Sequence, residues 1–235
     1  MTVWAICAVK DEADIFGDTL AHMLAQGVEG VVISDGMSTD GTRDIIERAG
    51  YDGGLIVSID DPDPIFRQAA TMNRLAGMAA DRGATWIVPF DADEYWSSCD
   101  GTPIASTLCS LDASVVVAYA QMFEYVDHVR RLPDPKPLPK VAYRWNPLAR
   151  LTMGQHSVEG VHGYGRPGVL VCREIQFRNR EHYKKKVRAR LATLEPGLPP
   201  GAAQHYRELE GLTDAQLDAR WDVLAARPTV WEPIR

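Results

Sequence analysis

The sequence predicts an α/β fold in which helices flank a mostly parallel sheet, with a helical extension at the carboxyl end. Two observations support this: short apolar runs alternate with segments of helical periodicity over the first half of the chain, and the connections are short. The apolar runs, which we expect to be buried strands, cover residues 3–9, 31–34, 55–59 and 86–90. Such alternation requires parallel strands joined by right-handed crossovers.

Apolar residues recur at helical spacing between these runs, and they predict helices over 14–26, 40–47 and 65–81. The second half of the chain is less regular. Its predicted elements are a short helix at 103–108, strands at 114–125 and 169–177, a basic helix at 181–194, and a last helix that starts at the capping-box pattern 213–216. The proline-rich segment 132–139 is expected to be an extended loop, and 146–168 an ordered loop or a mobile lid.

The chain has 235 residues, of which 46% are apolar, so one main domain with a tail is expected. We predict a main domain over 1–194. Residues 195–235 would form a helical tail. The net charge of −7 argues against a general polyanion binder, although a local basic patch could still bind anions.

Cellular location is also predicted from composition. No apolar stretch reaches the ~20 residues that a membrane span needs, and the first residues have no signal-peptide pattern. The four cysteines are too few and too scattered for a disulfide scaffold, and no Cys-x-x-Cys pair suggests zinc. The sequence therefore predicts a soluble, cytoplasmic protein.

Acidic turns follow each of the four predicted parallel strands. They are Lys10-Asp11-Glu12, the segment 35–41, the segment 60–63, and Asp91-Ala92-Asp93-Glu94. The carboxyl ends of parallel strands meet at one edge, so these carboxylates would repel each other unless a cation lay among them. An Asp-x-Asp pair offers the oxygen ligands that Mn²⁺ or Mg²⁺ prefers. The alternative is an ordinary loop with a capping aspartate.

The segment DGMSTDGT at 35–42 leads into a predicted helix. Exposed backbone N–H groups at a helix start favour anions. The simpler interpretation, which we favour for Ser38, Thr39, Asp40 and Thr42, is that Asp35 ends a strand and that Asp40 or Thr39 caps the helix. The segment has neither the P-loop nor the G-x-G-x-x-G pattern, so an ATPase or a Rossmann dehydrogenase is not supported.

Three stretches together resemble the nucleotide-sugar half of family 2 glycosyltransferases, which are inverting enzymes of the GT-A fold. They are AVKDEADIFGDTLAHMLAQGV, VVISDGMSTDGT and RQAATMNRLAGMAADRGATWIVPFDADEYW. One branch of the family has K-N-E, D-x-x-S-x-D-G-T and D-x-D-E-F at these places. Here Asp11 replaces the asparagine and Tyr95 the phenylalanine. The resemblance covers residues 3–97, and it implies a catalytic domain over 1–194 with a nucleotide-sugar half (1–97) and an acceptor half (98–194).

The resemblance implies roles for residues along the strand ends. Val9, Lys10 and Glu12 would border the nucleobase pocket, and the Asp35 carboxylate would contact the base.

Arg67 and Gln68 lie where such enzymes contact the base or the diphosphate, although Arg67 could equally be a solvated helix residue. Asp91 would face the ribose and also the metal ion, and Asp93 would bind the metal. Glu94 is expected to point to the other face of the strand.

A histidine from the second half completes the metal shell in several GT-A enzymes. Gly154-Gln155-His156 resembles the G-x-H of the same branch, so His156 is preferred to His162 as a metal ligand. The alternative is an ordinary loop histidine.

The general base would lie beyond the nucleotide half. The candidates are Glu124, Asp127 and Glu159, of which Asp127 is preferred.

Residues 178–190 carry seven Lys or Arg residues against one acidic residue, Glu181. Arg180 and Lys186 resemble an R-x5-K pattern of the branch and would clamp the diphosphate. The alternatives are a solvated helix face, or a surface for an anionic acceptor such as DNA or a membrane.

These observations predict a metal-dependent inverting glycosyltransferase that moves a sugar from a nucleotide, with a UDP-sugar as the expected donor. The acceptor is a hydroxyl group on a glycan, a small molecule or a modified nucleic-acid base. The alternatives are a sugar-phosphate nucleotidyltransferase and a non-catalytic nucleotide- or glycan-binding module.

Overall fold

The computed structural model describes residues 1–51, 55–198 and 203–234. These residues form twelve strands: β1 (Val3–Val9), β2 (Gly30–Asp35), β3 (Ile56–Asp60), β4 (Trp86–Pro89), β5 (Glu94–Ser98), β6 (Val115–Glu124), β7 (Arg130–Arg131), β8 (Lys140–Arg144), β9 (Arg150–Leu151), β10 (Val158–Glu159), β11 (Tyr164–Glu174) and β12 (Val230–Trp231). They also form seven α-helices: α1 (Phe16–Ala25), α2 (Thr42–Tyr51), α3 (Gln68–Ala80), α4 (Ile104–Ser110), α5 (Arg180–Ala192), α6 (Gln204–Arg207) and α7 (Asp214–Ala225). A short 3-10 turn lies at Met153–Gln155.

Eight of the strands form one sheet in the order β3-β2-β1-β4-β8-β6-β11-β5. Strand β1 pairs in parallel with β2 and β4, and β2 pairs in parallel with β3. Strand β8 is antiparallel to both β4 and β6, and β11 is antiparallel to β5. The predicted α/β class is confirmed, and strands β1 to β4 pair in parallel, as the sequence predicts.

The sheet is covered on both faces. Along β1 the side chains of Val3, Ala5 and Cys7 belong to one buried cluster, while those of Trp4 and Ile6 belong to the other. This explains why the strand is a continuous apolar run, since neither face meets water. Burial also raises the pKa of the Cys7 thiol well above its usual value, as expected of an unreactive core thiol.

The predicted helices of the first half are confirmed as α1, α2 and α3. Helix α2 runs through Gly50 to Tyr51, so the predicted end at Glu47 was too early. Strands β5 and β8 were not predicted. Strand β5 follows β4 after residues 90–93, where the chain turns. Strand β8 follows the proline-rich segment 132–139, which is a loop with bends at 133–134 and 137–138.

The chain divides into two compact units by its internal contacts. Unit 1 contains Met1–Pro62, Gln68–Phe123 and Pro135–Glu174, and it holds the eight-stranded sheet. Unit 2 contains Asp63–Arg67, Glu124–Asp134 and the chain from Ile175 onward. The division at 174 differs from the predicted boundary at 194, because α5 packs with α6 and α7. The functional division into 1–97, 98–194 and 195–235 remains a prediction.

Unit 2 has its own small core, which supports the predicted helical extension. Buried residues of this core come from α5, α6, α7 and the turn between the last two: Tyr183, Val187, Tyr206, Leu209 and Leu217. The predicted capping box at the start of α7 is present, with Thr213 and Gln216 bonded reciprocally. In the parts of the chain that the structure describes, every helix is too short or too polar to span a membrane.

Candidate functional site at the carboxyl ends of the parallel strands

The loops that follow β1 and β2 are bonded to each other. The Asp11 carboxylate accepts a hydrogen bond from the Thr39 backbone N–H at 2.7 Å, and the Asp11 N–H donates to the Ser38 hydroxyl at 3.0 Å. The Glu12 N–H donates to the Thr42 hydroxyl at 3.0 Å. The two loops therefore form one rim, in which backbone and side-chain polar groups are hydrogen-bonded to each other.

Asp40 caps the turn before α2. One carboxylate oxygen accepts from the Thr42 backbone N–H at 3.1 Å, and the other accepts from the Ala13 N–H at 3.0 Å. Asp40 therefore has the predicted capping role, whereas Ser38 and Thr39 bond to Asp11 in the neighbouring loop.

Asp35 lies at the end of β2, beside Val9 of β1, and is only 1% exposed. Its carboxylate accepts from the Ser38 N–H at 3.0 Å and pairs with the Arg43 guanidinium at 2.9 Å. Arg43 also pairs with Asp60, the β3 residue opposite Asp35. A protein cation thus relieves the repulsion predicted between these strand ends.

A second protein cation lies at the Asp91–Glu94 turn. The Lys140 ammonium at the start of β8 is 2.7 Å from Asp91 Oδ2 and 2.8 Å from Glu94 Oε1. Lys140 is only 3% exposed and Glu94 is completely buried. Burial alone would lower the pKa of Lys140, but Asp91 and Glu94 raise it well above its usual value. The lysine is therefore charged, and it binds two carboxylates at once.

Glu94 does not point away from Asp91, so that expectation was wrong. Its other oxygen accepts from the Asp91 backbone N–H and from the Trp96 indole N–H, each at 3.0 Å. Burial raises the pKa of the Glu94 carboxyl to about 7, an effect that Lys140 opposes. The residue faces Asp91 because both must reach the same buried ammonium.

Two glutamates face each other across β5 and β11, since Glu94 is the register partner of Glu174. Like charges opposite each other are unfavourable in a sheet. Lys136, in the proline-rich segment, pairs with Glu174, as Lys140 pairs with Glu94. Burial raises the pKa of Glu174, with Lys136 opposing and Asp93 adding to the shift. Asp93 itself is only 4% exposed.

Helix α3 holds the loop that carries Gln155 and His156. The Asn73 amide bonds both backbone groups of Leu151, at 2.8 and 3.0 Å. The Gln68 side-chain oxygen accepts from the Gly154 N–H at 2.8 Å. The Gln155 amide N–H then donates to Asp91 Oδ1 at 3.0 Å.

His156 has the features of a metal ligand. Its Nδ1 lies 2.7 Å from the Pro139 carbonyl oxygen, so this nitrogen carries the proton and Nε2 keeps its lone pair. Burial lowers the pKa of His156, which favours the neutral imidazole that metals bind. The alternative, His162, is an exposed residue.

Asp91, Asp93 and His156 are the side chains predicted to bind a divalent cation. Within the described ranges, no three His, Cys, Asp or Glu side chains are arranged as a metal site, so Asp91, Asp93 and His156 do not form one alone. The Asp91 carboxylate, 31% exposed, and the neutral His156 fit a cation whose remaining ligands are water and diphosphate oxygens. The assignment of all three ligands remains a prediction.

Several predicted residues belong to unit 2 and have other partners there. The carboxylate of Glu124 is paired with both terminal nitrogens of Arg227. Asp127 accepts from the backbone N–H groups of Val129 and Arg130 at 2.9 and 2.8 Å. Burial alone would raise the pKa of Asp127, but these bonds and the Arg130 side chain lower it below its usual value.

Arg67 is exposed and pairs with Asp63. The third base candidate, Glu159, is an exposed residue of β10 in unit 1. The roles predicted for Glu124, Asp127, Glu159 and Arg67 remain predictions.

The basic helix α5 is neutralised along one side by α7. Its cations pair at every fourth residue with aspartates of α7: Arg180 with Asp222, Lys184 with Asp218 and Arg188 with Asp214. This favours the interpretation of a solvated, ion-paired helix face for these three residues. The diphosphate clamp by Arg180 and Lys186, and an anionic acceptor at 178–190, remain predictions.

Sequence reasoning missed Lys136, Lys140, Glu174 and Gln155. The first two lie in a proline-rich stretch that has no periodicity. Glu174 interrupts a predicted apolar strand, which is a signal for a buried, paired carboxylate. Gln155 was only the variable position of the Gly154-Gln155-His156 pattern.

An open α/β sheet with a polar rim at the carboxyl ends of its parallel strands is the usual architecture of a protein that binds a ligand at that edge. Residues 4–175 match the model of the protein family described as glycosyl transferase family 2, which is more than half of the chain. The chain therefore belongs to glycosyl transferase family 2, and the suspected family is confirmed. No curated protein sequence matches it.

Solved structures show the same fold. Mannosyltransferase PcManGT from Pyrobaculum calidifontis, in complex with GDP-Man and Mn²⁺, is 18% identical with a TM-score of 0.50, covering 95% of this chain and 74% of that chain. S. aureus TarS 1-349 in complex with UDP is 12% identical with a TM-score of 0.50, covering 88% of this chain and 69% of that chain. S. aureus TarS is 12% identical with a TM-score of 0.52, covering 90% and 44%. At these identities the likeness shows the fold alone.

Lys140→Met is expected to lower the free energy of unfolding by about 3–5 kcal/mol, because two carboxylates lose their shared buried cation. The control is Arg74→Met, which removes an exposed partner of Asp61 and should cost less than about 1 kcal/mol. Urea denaturation followed by circular dichroism measures both. Equal losses in the two variants would contradict the role given to the Lys140 pair with Asp91 and Glu94.

Proposed function

We propose that the protein transfers a sugar from a nucleoside diphosphate, with a UDP-sugar as donor, to an acceptor hydroxyl with inversion and with bound Mn²⁺ or Mg²⁺. The observation that carries this proposal is the Asp91 carboxylate. It follows β4 at the ligand-binding edge of the sheet, is held by two buried donors and is still accessible, in a chain of glycosyl transferase family 2.

The donor would lie along the rim formed by the ends of β1, β2 and β4. Val9, Lys10, Glu12 and Asp35 would border the nucleobase, and Asp91 would contact the ribose. Two neighbours of the same fold bind nucleotide compounds, GDP-Man with Mn²⁺ in PcManGT and UDP in TarS. They support a nucleotide donor, and experiment must decide which nucleobase the donor carries.

Asp91 and His156 would hold the cation, with Asp93 as the predicted further ligand. When bound, the cation would stabilise the negative charge that the departing diphosphate gains. Asp91 can serve a cation because its side chain is 31% exposed while buried Lys140 and Gln155 hold its carboxylate. Gln68 would keep the His156 loop in place through its bond to Gly154.

The transfer step needs a base. The acceptor oxygen bonds to the anomeric carbon while the bond to the diphosphate oxygen breaks, and a carboxylate takes the hydroxyl proton. Of the three candidates, Glu124 is paired with Arg227 and Asp127 is bound in a turn. We therefore favour Glu159, which lies in unit 1 with Asp91 and whose carboxylate makes no hydrogen bond or ion pair with another residue that the structure describes.

Asp91→Asn and Asp93→Asn are expected to slow donor hydrolysis at least about a hundredfold, because they weaken binding of the cation and ribose. The assay incubates UDP- and GDP-sugars with Mn²⁺ and measures the released nucleoside diphosphate. Asp81→Asn, an exposed aspartate after α3, is the control and should retain the wild-type rate.

Wild-type protein that neither binds nor hydrolyses any sugar nucleotide would contradict the proposed function. A parallel arm with nucleoside triphosphate and sugar 1-phosphate detects the alternative nucleotidyltransferase activity by its release of pyrophosphate.

Glu159→Gln is expected to lower kcat of donor hydrolysis by about 10²–10⁴, the usual effect of losing a general base. Asp127→Asn and Glu124→Gln, which alter paired carboxylates, are expected to keep kcat within a few-fold of the wild type. If instead Asp127→Asn or Glu124→Gln abolished turnover while Glu159→Gln did not, the base would be reassigned to that residue.

A further inference from the structure

We propose that Gln155 is a positioning residue, which fixes the Asp91 carboxylate in the orientation that receives the donor. The proposal rests on the proposed function, because it assigns Gln155 a part in nucleotide binding. Three independent features support it: the backbone conformation of Gln155, the contacts that impose this conformation, and the burial of the donors that hold Asp91.

The backbone of Gln155 is in the left-handed region, with a φ of 60°. Residues with a Cβ adopt this conformation at a cost, and in folded proteins such strain is concentrated at functional sites. Gly154 directly before it has a φ of 78°, and a Cβ there would lie 2.7 Å from the His156 ring. Two successive left-handed residues turn the chain sharply, so that the Gln155 side chain reaches Asp91.

Helix α3 imposes this conformation from outside the loop. The Asn73 amide fixes Leu151 and the Gln68 side chain fixes the Gly154 N–H. The Gln155 N–H itself donates to the Thr152 carbonyl at 3.1 Å. The strained turn is therefore held by bonds that would remain if the Gln155 side chain were removed.

The two side chains that donate hydrogen bonds to Asp91 differ in charge, but both are buried. Lys140 Nζ lies 2.7 Å from Oδ2, and Gln155 Nε2 lies 3.0 Å from Oδ1. Lys140 is 3% exposed and Gln155 is 1% exposed, whereas the Asp91 side chain is 31% exposed. The carboxylate is thus fixed by buried groups and presents its open side to a ligand. A carboxylate that is immobile before binding loses less freedom when the donor arrives.

The amide suits this task because it donates a hydrogen bond without adding charge. Lys140 is already shared with Glu94, and a second cation at Asp91 would cancel the charge that a metal ion or a ribose hydroxyl must meet. A neutral donor fixes the second oxygen of Asp91 and leaves its charge in place.

The test replaces Gln155 by glycine, which accepts a positive φ without strain. Gln155→Gly is expected to keep the wild-type Tm within about 4 °C, because relief of backbone strain offsets the lost amide bond. Its Kd for UDP or GDP in the presence of Mn²⁺, measured by calorimetry, should rise about tenfold. In donor hydrolysis KM should rise with it, while kcat stays within about threefold.

Two further variants complete the experiment. Ala203→Gly changes another residue with a positive φ, 54°, and should leave Kd and KM unchanged. Gln155→Asn keeps an amide and tolerates the left-handed region, but it is too short to reach Asp91, so it should show the same loss of affinity as the glycine variant.

Unchanged nucleotide affinity in both Gln155 variants would overturn the proposal. So would failure of both variants to fold, because Gln155 would then be a structural residue. If the wild type bound neither UDP nor GDP, the proposed function would fail and this inference with it, which separates that result from the failure of Gln155 alone.

Discussion

The Lys140 ammonium, shared by Asp91 and Glu94, is the interaction on which the rest of the site depends. Two carboxylates so close to each other would not both remain charged in the interior without a cation between them. With the cation in place, Glu94 is neutralised inside the sheet and Asp91 keeps an accessible side. The cation comes from β8, in the antiparallel half of the sheet, so this half is needed to complete a rim that the parallel strands begin.

The same principle recurs along the rim. Arg43 serves Asp35 and Asp60, and Lys136 serves Glu174. The protein thus supplies its own cations to several carboxylates of the rim. These ion pairs explain how an acidic rim can be stable in a folded chain, and the proposed divalent cation would bind at the accessible Asp91.

Local pattern predicted much of the fold and less of the site. The apolar runs and helical spacing predicted β1 to β4 and α1 to α3, because each is determined by residues next to each other in the chain. Strand β8 was missed, since it is short and follows prolines, and with it Lys140 and its partners were missed. Glu94 was placed on the wrong face because alternation was assumed to continue through residues 90–93, where the chain turns. Gln155 could not be identified either, because its role comes from a backbone turn that α3 imposes.

The central claim is that donor binding is organised around Asp91 as held by Lys140 and Gln155. A crystal structure with UDP and Mn²⁺ tests it most directly. The account predicts the ribose and diphosphate at the open side of Asp91, with the Lys140 and Gln155 contacts intact and the metal ion on a carboxylate of this turn and on His156. A nucleotide bound away from the ends of β1, β2 and β4, or a Lys140 withdrawn from Asp91 and Glu94, would contradict it.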